Sequence, residues 1–146
     1  MRIQLKKLRA SARLPHRGSD FAAGYDLYAA PEHGEAVAIA PHATALIGTG
    51  LAAAIPAGYF GGIFARSGLA LKQGLRPANC VGVVDADYRG EISVALHNDT
   101  DETRVVQPGD RIAQLVILPF LPAEFEERSE LPETDRGAGG FGSTGT

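Results

Sequence analysis

The stretch that decides the fold is NCVGVVDADYRGEISVALH, residues 79–97. Two apolar runs, CVGVV and ISVAL, flank the polar segment Asp-Ala-Asp-Tyr-Arg-Gly. In the second run Ile92, Val94 and Leu96 alternate with small or polar residues, a period of two that is typical of a half-buried strand. The stretch therefore predicts a β-hairpin with two carboxylates at its turn.

The same alternation extends outward along most of the chain, for example at Ile3 and Leu5 and again at Val37 and Ile39. Turn signals rich in Pro and Gly separate the apolar runs, at residues 31–34, 56–58 and 108–110. One exception is a short helical stretch that opens at Ser67 and ends at Gly74. The pattern predicts an all-β sandwich or barrel of short strands.

The run IAQLVIL, residues 112–118, is apolar on both faces except for Gln114. Antiparallel strands usually keep one face in water, so this run is either covered by another subunit or is a central strand buried within one sandwich. An amide in such a run costs a few kcal/mol unless it is hydrogen-bonded. Gln114 is therefore either a satisfied core amide or a donor that faces a site.

Composition excludes several classes of function. A chain of 146 residues favours one domain, and its net charge of −3 with interspersed signs provides no basic field for nucleic acid. The single Cys80 excludes an internal disulfide, and its apolar surroundings predict a buried thiol. No segment reaches the length of a membrane helix or of a signal-peptide core, so we expect a soluble, cytoplasmic protein without a membrane partner.

The C-terminal stretch RGAGGFGSTG, residues 136–145, combines a cation, an aromatic ring, glycines and hydroxyls. Glycine-rich backbone and hydroxyl groups bind phosphate, Arg136 adds a guanidinium fork, and Phe141 can cover a flat ring. The glycine spacing of this stretch lacks the strand and helix of a dinucleotide fold. It is either a disordered tail or a lid for an aromatic phosphate ester such as a nucleotide.

Asp85 follows the apolar run of the predicted hairpin directly. A carboxylate held at a strand end and reached by solvent can act as a general base for water, although Asp is also common as a turn cap. Asp87 is the better candidate for that structural role. Tyr88 is either a packing residue or a flat wall against a sugar.

Five segments resemble, in order, the five motifs of the trimeric dUTP pyrophosphatases (dUTPases): AGYDLYA at 23–29, ARSGLA at 65–70, GVVDADYRGEI at 82–92, GDRIAQLV at 109–116 and RGAGGFGSTG at 136–145. The resemblance implies a jelly-roll-type β-barrel of the β-clip class, assembled as a homotrimer with three shared active sites. It divides the chain into a barrel domain, residues 1–126, and a connector with a flexible arm, residues 127–146, that closes over the active site. One departure is Ala65, where the family often has Pro.

The resemblance also implies a reaction, the Mg²⁺-dependent hydrolysis of dUTP to dUMP and pyrophosphate. Asp85 would deprotonate the water that attacks the α-phosphorus in line. The triphosphate and water would hold the metal, with Asp26 near its outer shell and no direct protein ligand. The reaction limits uracil incorporation into DNA and supplies dUMP for dTMP synthesis.

By the same resemblance, the phosphates are bound by polar groups of the second, fourth and fifth motifs: Arg66, Ser67, Gly68, Gln114, Arg136, Gly142, Ser143 and Thr144. The nucleoside is bound by four further residues: Asn79 and Val84 at the uracil edge, Tyr88 under the deoxyribose and Phe141 stacked on the base.

Two rival functions share parts of this pattern. The related dCTP deaminases share the barrel and trimer, but they need a glutamate after the apolar strand of the hairpin, where this chain has Ala95-Leu96-His97. A module that senses nucleotide without hydrolysing it would keep the same pocket.

Overall fold

A computed structural model describes residues 1–140 of the chain. Their regular structure consists of short strands and one helix, as predicted from the alternation. In chain order the elements are β1 (Gln4–Lys7), β2 (His16–Arg17), β3 (Tyr25–Tyr28), β4 (Val37–Ile39), β5 (Thr44–Gly48), β6 (Leu51–Ala54), β7 (Tyr59–Phe64), α1 (Ser67–Gln73), β8 (Leu75–Pro77), β9 (Gly82–Val84), β10 (Ser93–Asn98), β11 (Arg104–Val106) and β12 (Arg111–Pro119).

The strands pair antiparallel in four sheets. The largest has the order β2-β3-β12-β7-β9, a second has the order β5-β10-β8, and the pairs β1-β6 and β11-β4 complete the set. The all-β prediction is therefore confirmed, apart from α1. The sheets of residues 1–140 do not close into a barrel.

The four sheets share one apolar core. Its inward side chains come from alternate strand positions, as at Val94 and Leu96 of β10, because successive residues of a strand point to opposite faces. Each fully buried aliphatic side chain contributes about 1.5–3 kcal/mol relative to exposure. The largest are Leu27, Ile39, Ile47, Leu51, Leu75, Ile92, Leu96 and Ile112.

Glycines with left-handed backbone conformation lie next to several elements, at positions where the sequence predicts turns. Gly58 (φ +82°) precedes β7 and Gly109 (φ +88°) precedes β12, within the predicted turns 56–58 and 108–110. The predicted helix is also confirmed. Gly74 adopts φ +63° after α1, and its N–H donates to the Ala70 carbonyl, a common way to end a helix.

The prediction of a β-hairpin over residues 79–97 is wrong, because its two strands do not pair with each other. β9 pairs with β7, whereas β10 pairs with β5 and β8, so the two apolar runs lie in different sheets. The chain crosses between these sheets through residues 85–92. The Ile92 N–H then donates to the Leu51 carbonyl (2.8 Å) before β10 begins.

Cys80 is exposed, which corrects the prediction of a buried thiol. It lies in the turn between β8 and β9 and adopts a left-handed φ of +61°. The apolar run that suggested burial becomes a strand only at Gly82, and its first fully buried side chain is Val84.

After β12 ends at Pro119, residues 119–138 are all exposed. No strand or helix is present from residue 120 to residue 140. Within residues 1–140, no helix has the length and apolar character needed to span a membrane.

Candidate functional site

Three neighbouring strands of the large sheet bring polar side chains of separate motifs together. In β12, Gln114 lies opposite Asp26 of β3 on one side and opposite Phe64 of β7 on the other. Antiparallel neighbours directly opposite each other have Cβ atoms about 5 Å apart. The first, second and fourth motifs therefore meet at this point of the sheet.

At this point of the sheet the Asp26 carboxylate forms ion pairs with two arginines. Arg66 Nε donates to Asp26 Oδ1 at 2.7 Å, and Arg111 Nη1 donates to Asp26 Oδ2 at 3.3 Å. The Asp26 side chain is only 16% exposed, so the pairing is partly screened from water. We call Asp26, Arg66, Arg111 and Gln114 the Asp26 cluster.

Gln114 fixes the backbone that leads to Arg66. Its Nε2 donates to the Ala65 carbonyl at 2.8 Å. Gly24 makes room for this amide, because a Cβ at position 24 would collide with Gln114 Oε1. Gln114 is thus a hydrogen-bonded amide, as the first interpretation of this residue expects, and its contact with a ligand stays a prediction.

The chain after this anchor opens toward solvent. Arg66 has extended backbone (φ −91°, ψ 123°), and the exposed Ser67 and Gly68 begin α1, whose first N–H groups have no partner within the helix. A groove of about 340 Å³ runs beside them, and the charged residues of its lining are three cations, Arg66, Lys72 and Arg111, and one acid, Asp110. Such a groove suits an anionic ligand.

Asp85 is exposed and directly follows β9. A turn continues from it, in which the Tyr88 N–H donates to the Asp85 carbonyl at 3.2 Å. Tyr88 is 46% exposed, and its hydroxyl donates to the Glu91 carbonyl at 3.1 Å. We call residues 85–91 the crossing loop.

The two remaining predicted contacts of the nucleoside lie at the other end of β9 and within it. Asn79 is exposed, and its Nδ2 lies beside Gly82, 3.4 Å from where a Cβ would be. The Val84 side chain is buried in the core at 7% exposure. Val84 can therefore offer a ligand only its backbone.

Asp85 and Arg66 lie toward opposite ends of β7. Val84 is opposite Gly61, whereas Gln114 is opposite Phe64, and the antiparallel direction of β9 carries Asp85 further from Phe64. Four strand residues already span about 13 Å. Within one chain the Asp26 cluster and Asp85 are thus two separate groups, which the structure does not bring together.

Arg136 of the C-terminal stretch is exposed, and its Nε donates to the Gly139 carbonyl at 2.8 Å. The other predicted residues of this stretch lie outside the described residues: Phe141, Gly142, Ser143 and Thr144.

Comparison with known proteins identifies the family of this chain. The family model described as dUTPase matches residues 10–145, which is nearly the whole chain. The chain belongs to the dUTPase family.

Relatives agree with this assignment. A deoxyuridine 5'-triphosphate nucleotidohydrolase of Syntrophotalea carbinolica is 52% identical over 143 residues, covering 98% of this chain and 96% of the relative. Among solved structures, a mutant dUTPase of Staphylococcus bacteriophage 80alpha with dUpNHpp has a TM-score of 0.86 at 32% identity and 99% coverage of both chains. A mutant dUTPase of phage phi11 of S. aureus, solved to describe coordination of a structural Mg(II) ion, has a TM-score of 0.81 at 28% identity, covering 91% of this chain and 100% of that one.

Arg111 was not among the residues that sequence reasoning selected. It precedes Gln114 by three residues in the fourth motif, but a cation at the start of a strand is usually only a solvated end. Its contact with Asp26 depends on the pairing of β12 with β3, which the local pattern does not specify.

Proposed function

We propose that this dUTPase-family chain hydrolyses dUTP to dUMP and pyrophosphate by in-line attack of water on the α-phosphorus. The observation that carries the proposal is the Asp26 cluster, in which one carboxylate holds two arginines in place beside an open groove. Transition-state charge in phosphoryl transfer spreads over the phosphoryl oxygens, so fixed cations are what this reaction needs from a protein.

The phosphates bind along the second motif. Arg66 is held at Nε by Asp26, which orients its guanidinium, and Ser67 and Gly68 are exposed beside it. A guanidinium fork can bind two phosphate oxygens at once. Gln114 positions the Ala65 carbonyl and borders the same groups. From the C-terminal arm, phosphate contacts are proposed for Arg136, Gly142, Ser143 and Thr144.

Asp85 acts as the general base. Its carboxylate is exposed on the crossing loop, where water can reach it. It orients the attacking water and removes a proton from it as the bond to the α-phosphorus forms and pyrophosphate leaves. A positioned general base typically contributes about 10²–10⁴-fold to the rate.

The nucleoside is recognised by groups around β9. Asn79 reads the uracil edge together with the backbone of Val84. Tyr88 presents a half-exposed ring that packs under the deoxyribose and leaves no room for a 2′-hydroxyl. Phe141 stacks on the base, a contact worth about 1–3 kcal/mol by analogy with other base stacking.

Mg²⁺ is proposed as the cofactor. Both carboxylate oxygens of Asp26 already accept hydrogen bonds from arginines. This donor set fits a cation held by substrate oxygens and water, with Asp26 in its outer shell. When bound, the cation would neutralise phosphate charge.

The working form is proposed to be a homotrimer with shared active sites. On the face of β12 that carries Gln114, Val116 and Leu118 are only half-buried in the single chain. A neighbouring subunit on this face would bury them and bring its own crossing loop toward the Asp26 cluster. The proposed division of the chain is a barrel domain, residues 1–126, and a connector with a C-terminal arm, residues 127–146, that closes over the site. Closure of the jelly-roll-type barrel and a cytosolic location stay predictions.

In the cell this reaction would limit uracil incorporation into DNA and provide dUMP for dTMP synthesis. The direct test is to incubate the protein and Mg²⁺ with dUTP, dCTP, dTTP or UTP and to resolve the products by chromatography with a pyrophosphate assay. We expect dUTP to be converted to dUMP and pyrophosphate far faster than any of the other three nucleotides. Formation of dUTP from dCTP would instead indicate a deaminase, and tight binding of dUTP without turnover would indicate a sensor.

A further inference from the structure

An ion pair away from the Asp26 cluster ties the N-terminal segment to the end of the crossing loop. Arg9 Nη1 and Nη2 donate to the two carboxylate oxygens of Glu91, each at 2.6 Å. Arg9 Nη1 also donates to the Ala30 carbonyl at 2.5 Å. Because the two side chains are only 21% and 25% exposed, this bidentate pair is better shielded from water than a typical surface salt bridge.

The backbone around this pair is shaped for it. The Gly50 N–H donates to Glu91 Oε1 at 2.7 Å. A Cβ at Gly48 would collide with Glu91 Oε1, and a Cβ at Gly50, which has φ +66°, would lie 2.9 Å from Arg9 Cγ. Two glycines thus leave the volume that the ion pair fills, so its geometry is specified by the fold.

Glu91 connects this pair to Tyr88 through one peptide unit. The Tyr88 hydroxyl donates to the Glu91 carbonyl at 3.1 Å, while the Ile92 N–H of the same planar unit donates to the Leu51 carbonyl at 2.8 Å. The Tyr88 ring lies against Gly90, where an added Cβ would collide with the ring and its hydroxyl. One part of the ring is therefore held by the loop, and the rest is open to solvent.

We infer that the Arg9–Glu91 ion pair positions the Tyr88 ring and thereby sets the discrimination between deoxyribose and ribose. The Glu91 side chain, anchored by Arg9 and Gly50, fixes the backbone of Glu91. Its carbonyl then fixes the Tyr88 hydroxyl, so the ring cannot retreat from a 2′-hydroxyl. The inference rests on the proposed role of Tyr88 in dUTP hydrolysis. Arg9 and Glu91 are positioning residues, since neither contacts the sugar.

The test measures kcat/KM for dUTP and for UTP in the full-length protein, with the affinities for dUMP and UMP by calorimetry as a second readout. For Glu91→Gln and, independently, Arg9→Lys, we expect the ratio of kcat/KM for dUTP to that for UTP to fall on the order of tenfold, within the coupling range of contacting residues. The fall should come mainly from a higher kcat/KM for UTP. A loss of stability alone cannot raise that value.

Two further variants make the comparison specific. Asp99→Asn neutralises the carboxylate of a second bidentate pair, in which Arg76 donates to Asp99 at 2.8 and 3.0 Å, and it should leave the ratio unchanged. Tyr88→Phe removes the hydroxyl that donates to Glu91, and Glu91→Gln added to Tyr88→Phe should lower the ratio no further.

The inference is overturned if Glu91→Gln lowers the thermal stability but keeps the wild-type ratio, or if its effect multiplies with that of Tyr88→Phe. If the wild-type protein hydrolyses dUTP but the variants keep its ratio of kcat/KM for dUTP to that for UTP, this inference is rejected and the proposed function stands. A wild-type protein without dUTP turnover rejects the proposed function, and the dUMP and UMP affinities of the variants then still decide whether the ion pair sets sugar preference.

Discussion

The Asp26 cluster and the crossing loop show two different ways of building a site. In the cluster, three adjacent strands hold the polar side chains in register, and Asp26, Arg66 and Gln114 are hydrogen-bonded within one chain. In the crossing loop, Asp85 is exposed and Tyr88 is half-exposed. The half proposed to bind phosphate is thus preformed, whereas the half with the proposed base is exposed to solvent.

This difference follows from sheet membership. The cluster lies at the centre of the five-stranded sheet, where β12 has a partner on each side. The crossing loop leaves that sheet after β9 and joins the sheet of β10. A segment that changes sheets has few strand hydrogen bonds of its own, so its orientation depends on anchors such as the Arg9–Glu91 pair.

The largest effect is expected from a substitution in the crossing loop, the exposed half of the proposed site. Asp85→Asn should lower kcat for dUTP by at least ~100-fold, since it removes the proposed base, while dUpNHpp still binds within a few-fold of wild type. Asp87→Asn is the matched control, because Asp87 is also an exposed carboxylate of the same loop, and it should keep near-normal turnover. Steady-state pyrophosphate release and calorimetry measure the two quantities. A kcat near wild type for Asp85→Asn would exclude base catalysis by this residue.

Mixing two inactive variants shows whether the two halves of the proposed site come from different subunits. Asp85→Asn and Arg66→Gln chains are each expected to be inactive alone. Co-expressed in equal amounts with different affinity tags, they should recover about a quarter of wild-type activity, because a complete site draws each half from an intact chain with even odds.

The control is a mixture of the two variants purified separately and combined only in the assay, before subunits exchange. Mixed assemblies that stay as inactive as their parents would place both halves within one subunit. Light scattering on the same samples measures the oligomeric state directly.

Local features of the fold were predictable from the sequence, because they depend on near neighbours. The helix at Ser67, its end at Gly74 and the turns at Gly58 and Gly109 follow from residue type and spacing. Three members of the Asp26 cluster, Asp26, Arg66 and Gln114, were also selected through their resemblance to family motifs, whereas Arg111 was not.

Pairing between distant segments was not predictable in the same way. The apolar runs around Asp85 each alternate like a strand, but alternation does not specify a partner, and β9 and β10 pair elsewhere. The exposure of Cys80 depends on where β9 begins. The contact of Arg111 with Asp26 depends on the register of β12 against β3.

The smallest effect is expected from a substitution beside the Asp26 cluster, the preformed half of the proposed site. Gly24→Ala introduces a methyl group that collides with the Gln114 amide, so the amide must turn away from the Ala65 carbonyl. Loss of this hydrogen bond costs about 0.5–1.5 kcal/mol of unfolding free energy. Because the freed carbonyl lies next to Arg66, the KM for dUTP should also rise a few-fold.

Gly18→Ala is the matched control, since a Cβ at position 18 would meet nothing within 4 Å. This substitution lies in the preceding loop and should change stability by less than about 0.5 kcal/mol and leave KM unchanged. Denaturant unfolding and steady-state kinetics on both variants give the comparison. If Gly24→Ala and Gly18→Ala behave alike, the anchoring of the Arg66 backbone by Gln114 does not contribute to substrate binding, and the cluster owes its order to the Asp26 ion pairs instead.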